Sequence, residues 1–387
     1  MQVGQQVEKG KFRKVAFNKD ELVRHGVILG STGSGKTGLG IKLLEELALE
    51  GVPIIAIDPK GDLGNMLTVP LLGKAEGEWS EERDKKVCKD IIKRGKLKSV
   101  DMAIYTPGVQ QGESSGKRMG IYGSSKESRS EYLRQVLSLA YGYEINALAT
   151  QVVFLEKNIE AWCGAYDSGK NQVTVDTMIA LSIRPYTSSI GGMQLDDYIS
   201  ESERTTLARK LTSLSESSDF KKWEGELNIA RLFVDGDSFS HRMGCWEGER
   251  IKPRLSIVSI AHLNEQERKF FLPIFLSELV QTMRTWQGTD KLRAVLYIDE
   301  CSGLIPPVSN PPAKQWIMTL LKQARAYGLG VMLATQNPAD IDYKGLGNVG
   351  SWWIGRLQTD LDRKKVREAV RASDGALAGM NNGKGSN

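Results

Sequence analysis

Apolar positions in this chain come in two textures. The first consists of short unbroken runs: VILG (27–30), PIIAID (53–58), MAIYT (102–106), LSIVSI (255–260), AVLYID (294–299) and GVMLAT (330–335), with SWWIG (351–355) as one more. Runs without polar alternation predict strands covered on both faces, as in a parallel sheet. Between the first two runs Leu39, Leu43, Leu44 and Leu47 recur at helical spacing up to Gly51. Strand, glycine-rich turn, helix, strand is a βαβ unit, the building block of parallel sheets. The segment AKQWIMTLLKQARAYG predicts a helix that stops at Gly328. Asn264 and Glu267 read as a capping box opening the helix after LSIVSI, which Pro273 is expected to kink or restart.

The second texture fills 126–235. Periodic stretches such as SEYLRQVLSLAYG, ALATQVVFLEKNIEAWCGAY and ERTTLARKLTSLSES predict a helical insertion with few strands. The polar segments GVQQGESSGKRMGIYGSS and GDSFSHRMGCWEGER flank it as hinges. The expected layout is an α/β fold, a mostly parallel sheet flanked by helices. Its first half is 1–125, the insertion 126–235 and the second half 236–372, followed by a disordered tail at 373–387.

Composition narrows the class. The 387 residues include 52 Lys or Arg against 47 Asp or Glu, a formal charge of +5, with 40% apolar residues. That excludes a disordered chain, a collagen and a coiled coil. No apolar run is long enough to span a membrane, and the basic N-terminus has no apolar core behind it, so a soluble cytoplasmic protein without a membrane partner is expected. Cys88, Cys163, Cys245 and Cys301, like His25, His241 and His262, are scattered without zinc-ligand spacing.

The chemistry concentrates at three strand ends. Gly30, Ser31, Thr32, Gly33, Ser34, Gly35, Lys36 and Thr37 fit G-x-x-x-x-G-K-[ST] between a strand and a helix, with Gly38 next. Glycines let backbone N–H groups converge on phosphates and the helix N-terminus adds partial positive charge. Lys36 then reaches the β- and γ-phosphates of ATP and the Thr37 hydroxyl ligates Mg²⁺. AVLYIDE supplies the acidic strand end: Asp299 for the Mg²⁺ shell and Glu300 to polarise the attacking water. In LATQNP, Gln336 closes a further buried strand, where the additional-strand P-loop ATPases carry a polar residue that senses the γ-phosphate or the water. NKDE at 18–21 resembles a guanine-specificity motif only superficially, because it precedes the P-loop and lacks the final Asp position.

The motifs RHGVILGSTGSGKT, IIAIDPKGDL, LYIDE, QARAYGLGVMLATQNP and IGRLQTDLD occur in an order that resembles the HerA–FtsK group of ATPases, HerA-like ATP-binding proteins in particular. The resemblance implies a RecA-like core, self-assembly into a hexameric ring, ATP hydrolysis between subunits and translocation on double-stranded DNA. It also implies roles for two arginines. Arg24 matches an arginine that reaches the neighbouring subunit's nucleotide, and Arg325 one that acts on its own nucleotide. Arg356 is a weaker third, and Ala326 stands where relatives often have a second basic residue. HerA proteins usually carry an N-terminal β-barrel, for which the 26 residues ahead of Val27 are too few.

Two basic stretches are candidates for the DNA backbone. Residues 83–98 hold eight basic residues against two acidic, and 363–371 five against one; a solvated helix face is the alternative for each. The leading expectation is a DNA-processing or phage-defence motor beside a nuclease or other effector protein. A motor on protein substrates and an ATP-binding subunit gating a partner are the other readings.

Overall fold

The structure is a computed structural model that describes residues 1–8, 11–63, 101–109, 117–122, 125–142, 145–165, 172–234, 254–357 and 359–372. An antiparallel pair, β1 (Gln2–Glu8) and β2 (Lys11–Ala16), opens the chain. The main strands are β3 (Gly26–Leu29), β4 (Ile54–Asp58), β5 (Asp101–Pro107), β6 (Lys117–Met119), β9 (Arg254–Ser259), β10 (Ala294–Ile298), β11 (Leu329–Thr335) and β12 (Ser351–Ile354). They form one sheet in the order β12–β3–β11–β10–β4–β9–β5–β6. The pairs β12–β3, β3–β11, β11–β10, β10–β4 and β5–β6 are all parallel. The doubly covered runs behave as their composition predicts: every residue of β3, β4, β10 and β11 is buried.

Contacts divide the chain into two compact units. The first comprises the described parts of Met1–Met102, Leu232–Ile257 and Trp286–Asn387. It holds β3, β4, β10, β11 and β12 with helices α1 (Lys36–Leu49), α7 (Pro312–Gln323) and α8 (Asp360–Ala372). In α1, Leu43, Leu44 and Leu47 are fully buried, while Leu39 is only half-buried. Helix α7 runs into a 3₁₀ turn, Ala324–Tyr327, and stops at Gly328 with φ 76°. A side chain at Gly328 would lie 2.5 Å from the Lys291 carbonyl.

The second unit is Ala103–Arg231 with Val258–Thr285. Most of the stretch expected to be helical lies here, as α2 (Lys126–Tyr141), α3 (Ala149–Ala165), α4 (Val175–Ile183) and α5 (Glu201–Ser215), broken by the two-residue strands β7 (Ser189–Ile190) and β8 (Met193–Gln194). It also contains α6 (Glu265–Arg284), opened by the Asn264–Glu267 capping box. Pro273 does not restart α6, which is one element from end to end. Phe270, Phe271, Leu272, Ile274, Phe275 and Leu276 around it are all at most 3% exposed. Their burial outweighs the roughly 3 kcal/mol that an internal proline costs a helix. The basic stretch 83–98, the second hinge and the tail lie outside the described residues.

Candidate active site

The site gathers where parallel strands end, as expected of an open α/β sheet. β3 delivers the loop Gly30–Gly35 into α1. Gly33 (φ 75°) and Gly35 (φ 85°) adopt left-handed backbone, which glycine reaches without strain. Gly35 caps α1 without a side-chain bond, and the first turn of α1 carries no acidic residue, so its N–H groups and partial positive charge face the loop. Lys36 folds back across the loop and donates to the Ser31 carbonyl at 2.8 Å. Burial lowers its pKa, opposed by the nearby Glu300 charge. At Gly30 a Cβ would sit 2.5 Å from the Ser34 Oγ, so a larger residue there would push the Ser34 hydroxyl aside. The loop is tied to the chain leaving β12: Ser31 N–H donates to the Arg356 carbonyl at 2.8 Å.

β10 ends beside the loop. In register, Ile298 lies level with Ile57 and Leu333, so Asp299 and Glu300 emerge between the ends of β4 and β11. The Tyr297 hydroxyl donates to Asp299 Oδ1 at 2.9 Å, while Oδ2 is buried and has no hydrogen-bond partner. Burial raises the Asp299 carboxyl, with the Tyr297 bond opposing it. Glu300 has φ 68°, a conformation non-glycine residues rarely adopt and one that marks a constrained position. Thr335 Oγ1 donates to its Oε1 at 2.8 Å and Lys60 Nζ to its Oε2 at 3.2 Å. Burial alone would raise this carboxyl, but bonds from Ser302, Thr335 and Lys60 prevail and lower it. Gln336 closes the circuit. Its N–H donates to Glu300 Oε1 at 3.4 Å, and its Oε1 accepts the Thr32 hydroxyl at 2.7 Å. Loop, acidic strand end and polar strand end are thereby joined by hydrogen bonds within one chain.

A family model described as "Helicase HerA, central domain" matches residues 1–240. The chain belongs to the HerA central-domain family. It is a P-loop ATPase of the HerA/FtsK type, as the order of motifs implies. A second family model, zonular occludens toxin (Zot), matches residues 273–345, the part of this HerA-family chain that carries Glu300 and Gln336. Among solved structures, VirB4 of Thermoanaerobacter pseudethanolicus is 17% identical, with 97% of this chain and 88% of that one covered and a TM-score of 0.56. That likeness supports the fold. The plasmid coupling protein TrwB, in complex with ADP and Mg²⁺, is 15% identical over 92% of this chain and 70% of its own, with a TM-score of 0.44. No curated protein sequence matches the chain.

The HerA-family arrangement sorts the arginines by sheet edge. Arg325, in the turn before β11, is exposed at the edge where strands begin. Seven residues of β11, roughly 23 Å of strand, separate that edge from Gln336. The expectation that Arg325 acts on its own nucleotide is therefore corrected, because no side chain spans that length. Arg24 shares this edge: it precedes β3, is exposed, and lies along Gly350, where a Cβ would come within 2.7 Å of its own. Arg356 is the arginine beside the P-loop of its own chain, through its main-chain bond to Ser31.

Residue reading alone did not single out Lys60, Thr335 or Tyr297. The only sequence signal for Lys60 was its place directly after the β4 strand end, in IIAIDPKGDL. Asn18 and Asp20 of the NKDE string are structural. Asn18 caps the turn Lys19–Arg24, and Asp20 accepts the Leu292 N–H at 3.0 Å.

Proposed function

We propose that this ATPase is a Mg²⁺-dependent motor on double-stranded DNA that works as a self-assembled ring of six. The observation that carries the hydrolytic part is the circuit Thr32–Gln336–Glu300, which couples the phosphate loop to the carboxylate placed to orient water. The residues present fit Mg²⁺: the unpartnered buried Oδ2 of Asp299 and the hydroxyl of Thr37 in the first turn of α1 are hard oxygen donors, and Mg²⁺ commonly takes few protein ligands. When bound, the ion neutralises charge on the phosphates. Lys36 holds the β- and γ-phosphates, Gln336 and Glu300 position the water, and Glu300 accepts its proton.

Arg24 and Arg325 lie too far from their own loop to serve it, so a neighbouring subunit's nucleotide is their natural target. This supports hydrolysis between subunits. For the DNA backbone, α8 offers exposed Arg363, Arg367 and Arg371 one helical turn apart, roughly 6 Å per step, although Arg363 is shared with Asp360 at 2.7 Å. A nuclease or other effector is the partner proposed for such a motor. No helix among the described residues is long and apolar enough to cross a membrane. The test is the ATPase rate with and without duplex DNA across salt concentrations. Stimulation that fades between about 50 and 200 mM salt supports the DNA reading. A rate indifferent to DNA of every length and at every salt overturns it in favour of a protein substrate or a gating role.

A further inference from the structure

Lys60 belongs to neither the phosphate loop nor the acidic strand end, yet its ammonium reaches Glu300. It follows β4 in a turn built by Asp58, whose carboxylate is fully buried and accepts the N–H groups of Lys60 (3.2 Å), Gly61 (2.8 Å) and Leu63 (3.0 Å). The backbone under Lys60 is therefore fixed by a buried anchor. From this turn the side chain, 34% exposed, reaches across the end of the neighbouring strand β10 to Glu300 Oε2 at 3.2 Å. Its charge also acts on Lys36, lowering that ammonium's pKa alongside burial.

The inventory of Glu300 shows what this contact does. Oε1 is held by the Thr335 hydroxyl and, more loosely, by Gln336 N–H. Ser302 adds a further side-chain bond to the carboxylate, and Lys60 supplies a charged contact on Oε2. A carboxylate fixed at one oxygen can still swing about its terminal torsion, which is broad and two-fold; fixed at both, it presents its remaining lone pairs in one direction.

We propose that Lys60 is a positioning residue for hydrolysis, holding the Glu300 carboxylate in the orientation that aligns the attacking water. This deepens the ATPase reading and rests on it.

The experiment uses the full chain. Parent protein is first shown to hydrolyse ATP with Mg²⁺; failure there defeats the ATPase reading and leaves Lys60 out of account. Lys60→Met, close in length but uncharged, is then compared with Lys60→Arg, Glu300→Gln and the double variant Lys60→Met/Glu300→Gln. Nucleotide affinity is read with a fluorescent ATP analogue. For Lys60→Met we expect kcat to fall by about ten- to a hundredfold, the scale of a misplaced reacting group, with affinity nearly unchanged. Lys60→Arg should recover part of the loss. In the Glu300→Gln background the Lys60 substitution should cost nothing more, because the two act as a unit. A kcat within twofold of parent overturns the proposal. So does a loss that appears equally in affinity, which would make Lys60 a phosphate contact, or one that multiplies with that of Glu300→Gln.

Discussion

Gly40 offers a sharp test of how the metal-facing carboxylate is held. It lies inside α1, where alanine ordinarily stabilises by about 1 kcal/mol over glycine. Here a Cβ would stand 2.4 Å from the Tyr297 hydroxyl and 3.1 Å from Cζ. Ordinary contact begins near 3.4 Å, so the hydroxyl must retreat by about 1 Å. Tyr297 is fully buried in β10. Overpacking of this kind costs about 1–3 kcal/mol, and weakening the bond from Tyr297 to Asp299 removes part of a further 1.5–3 kcal/mol. Against the helix gain, Gly40→Ala should destabilise by about 2 kcal/mol in urea unfolding. It should also raise the Mg²⁺ concentration for half-maximal ATPase activity by about tenfold, since Asp299 loses the group that orients it. Adding Tyr297→Phe should return some of the stability, because the clashing oxygen is gone, but not the Mg²⁺ dependence. Gly40→Ala protein as stable as parent, with an unaltered Mg²⁺ requirement, would refute the packing argument.

Three more predictions concern the arginines and pH. Arg24→Ala and Arg325→Ala should each bind ATP but hydrolyse it poorly, and each should regain activity when mixed with Lys36→Ala protein, once subunit exchange is demonstrated; mixtures as inactive as their components would place neither arginine across an interface. Arg356→Ala keeps the main-chain bond to Ser31 and should therefore bind ATP as parent does; lost binding would give its side chain a part in the phosphate site. His25 accepts the Val331 N–H at 3.1 Å, and burial, with the Arg325 charge acting the same way, lowers its pKa to about 4. The unfolded chain then binds more protons than the folded one between about pH 6.5 and 4, so this stability, about 3 kcal/mol, is present above pH 6.5 and lost as pH falls through that window. His25→Asn keeps a side-chain acceptor at φ 64° and should remove this part of the pH slope in urea titrations; an identical slope would assign it to other groups.

Seven strands of the sheet were legible because they are short apolar runs punctuated by glycine and acid, and the structure places each within a residue or two of its expected bounds. β6 was not, because KRM lies in the polar segment expected as the first hinge. The P-loop, Asp299, Glu300 and Gln336 were legible for a related reason: each closes such a run, so each lands on the same sheet edge. β1 and β2 were not, since QVGQQVE and KFRKVA carry too few apolar residues to show a period. Lys60 escaped notice because its partner is 240 positions away, and pairing across strands β4 and β10 depends on sheet order. Arg325 shows the opposite failure. Its place before a strand puts it at the far edge from the P-loop, and the family resemblance carries no information on that distance. Pro273 was read from local propensity alone, and the packing of the aromatic residues beside it overrode that preference.

The central claim is that Glu300 orients the water at a P-loop that binds ATP independently of it. Single-turnover hydrolysis by Glu300→Gln, with nucleotide binding followed in the same samples, tests this most directly. The account predicts binding close to that of parent and turnover lowered by at least about a hundredfold. Turnover equal to parent, in protein that binds ATP normally, would contradict it.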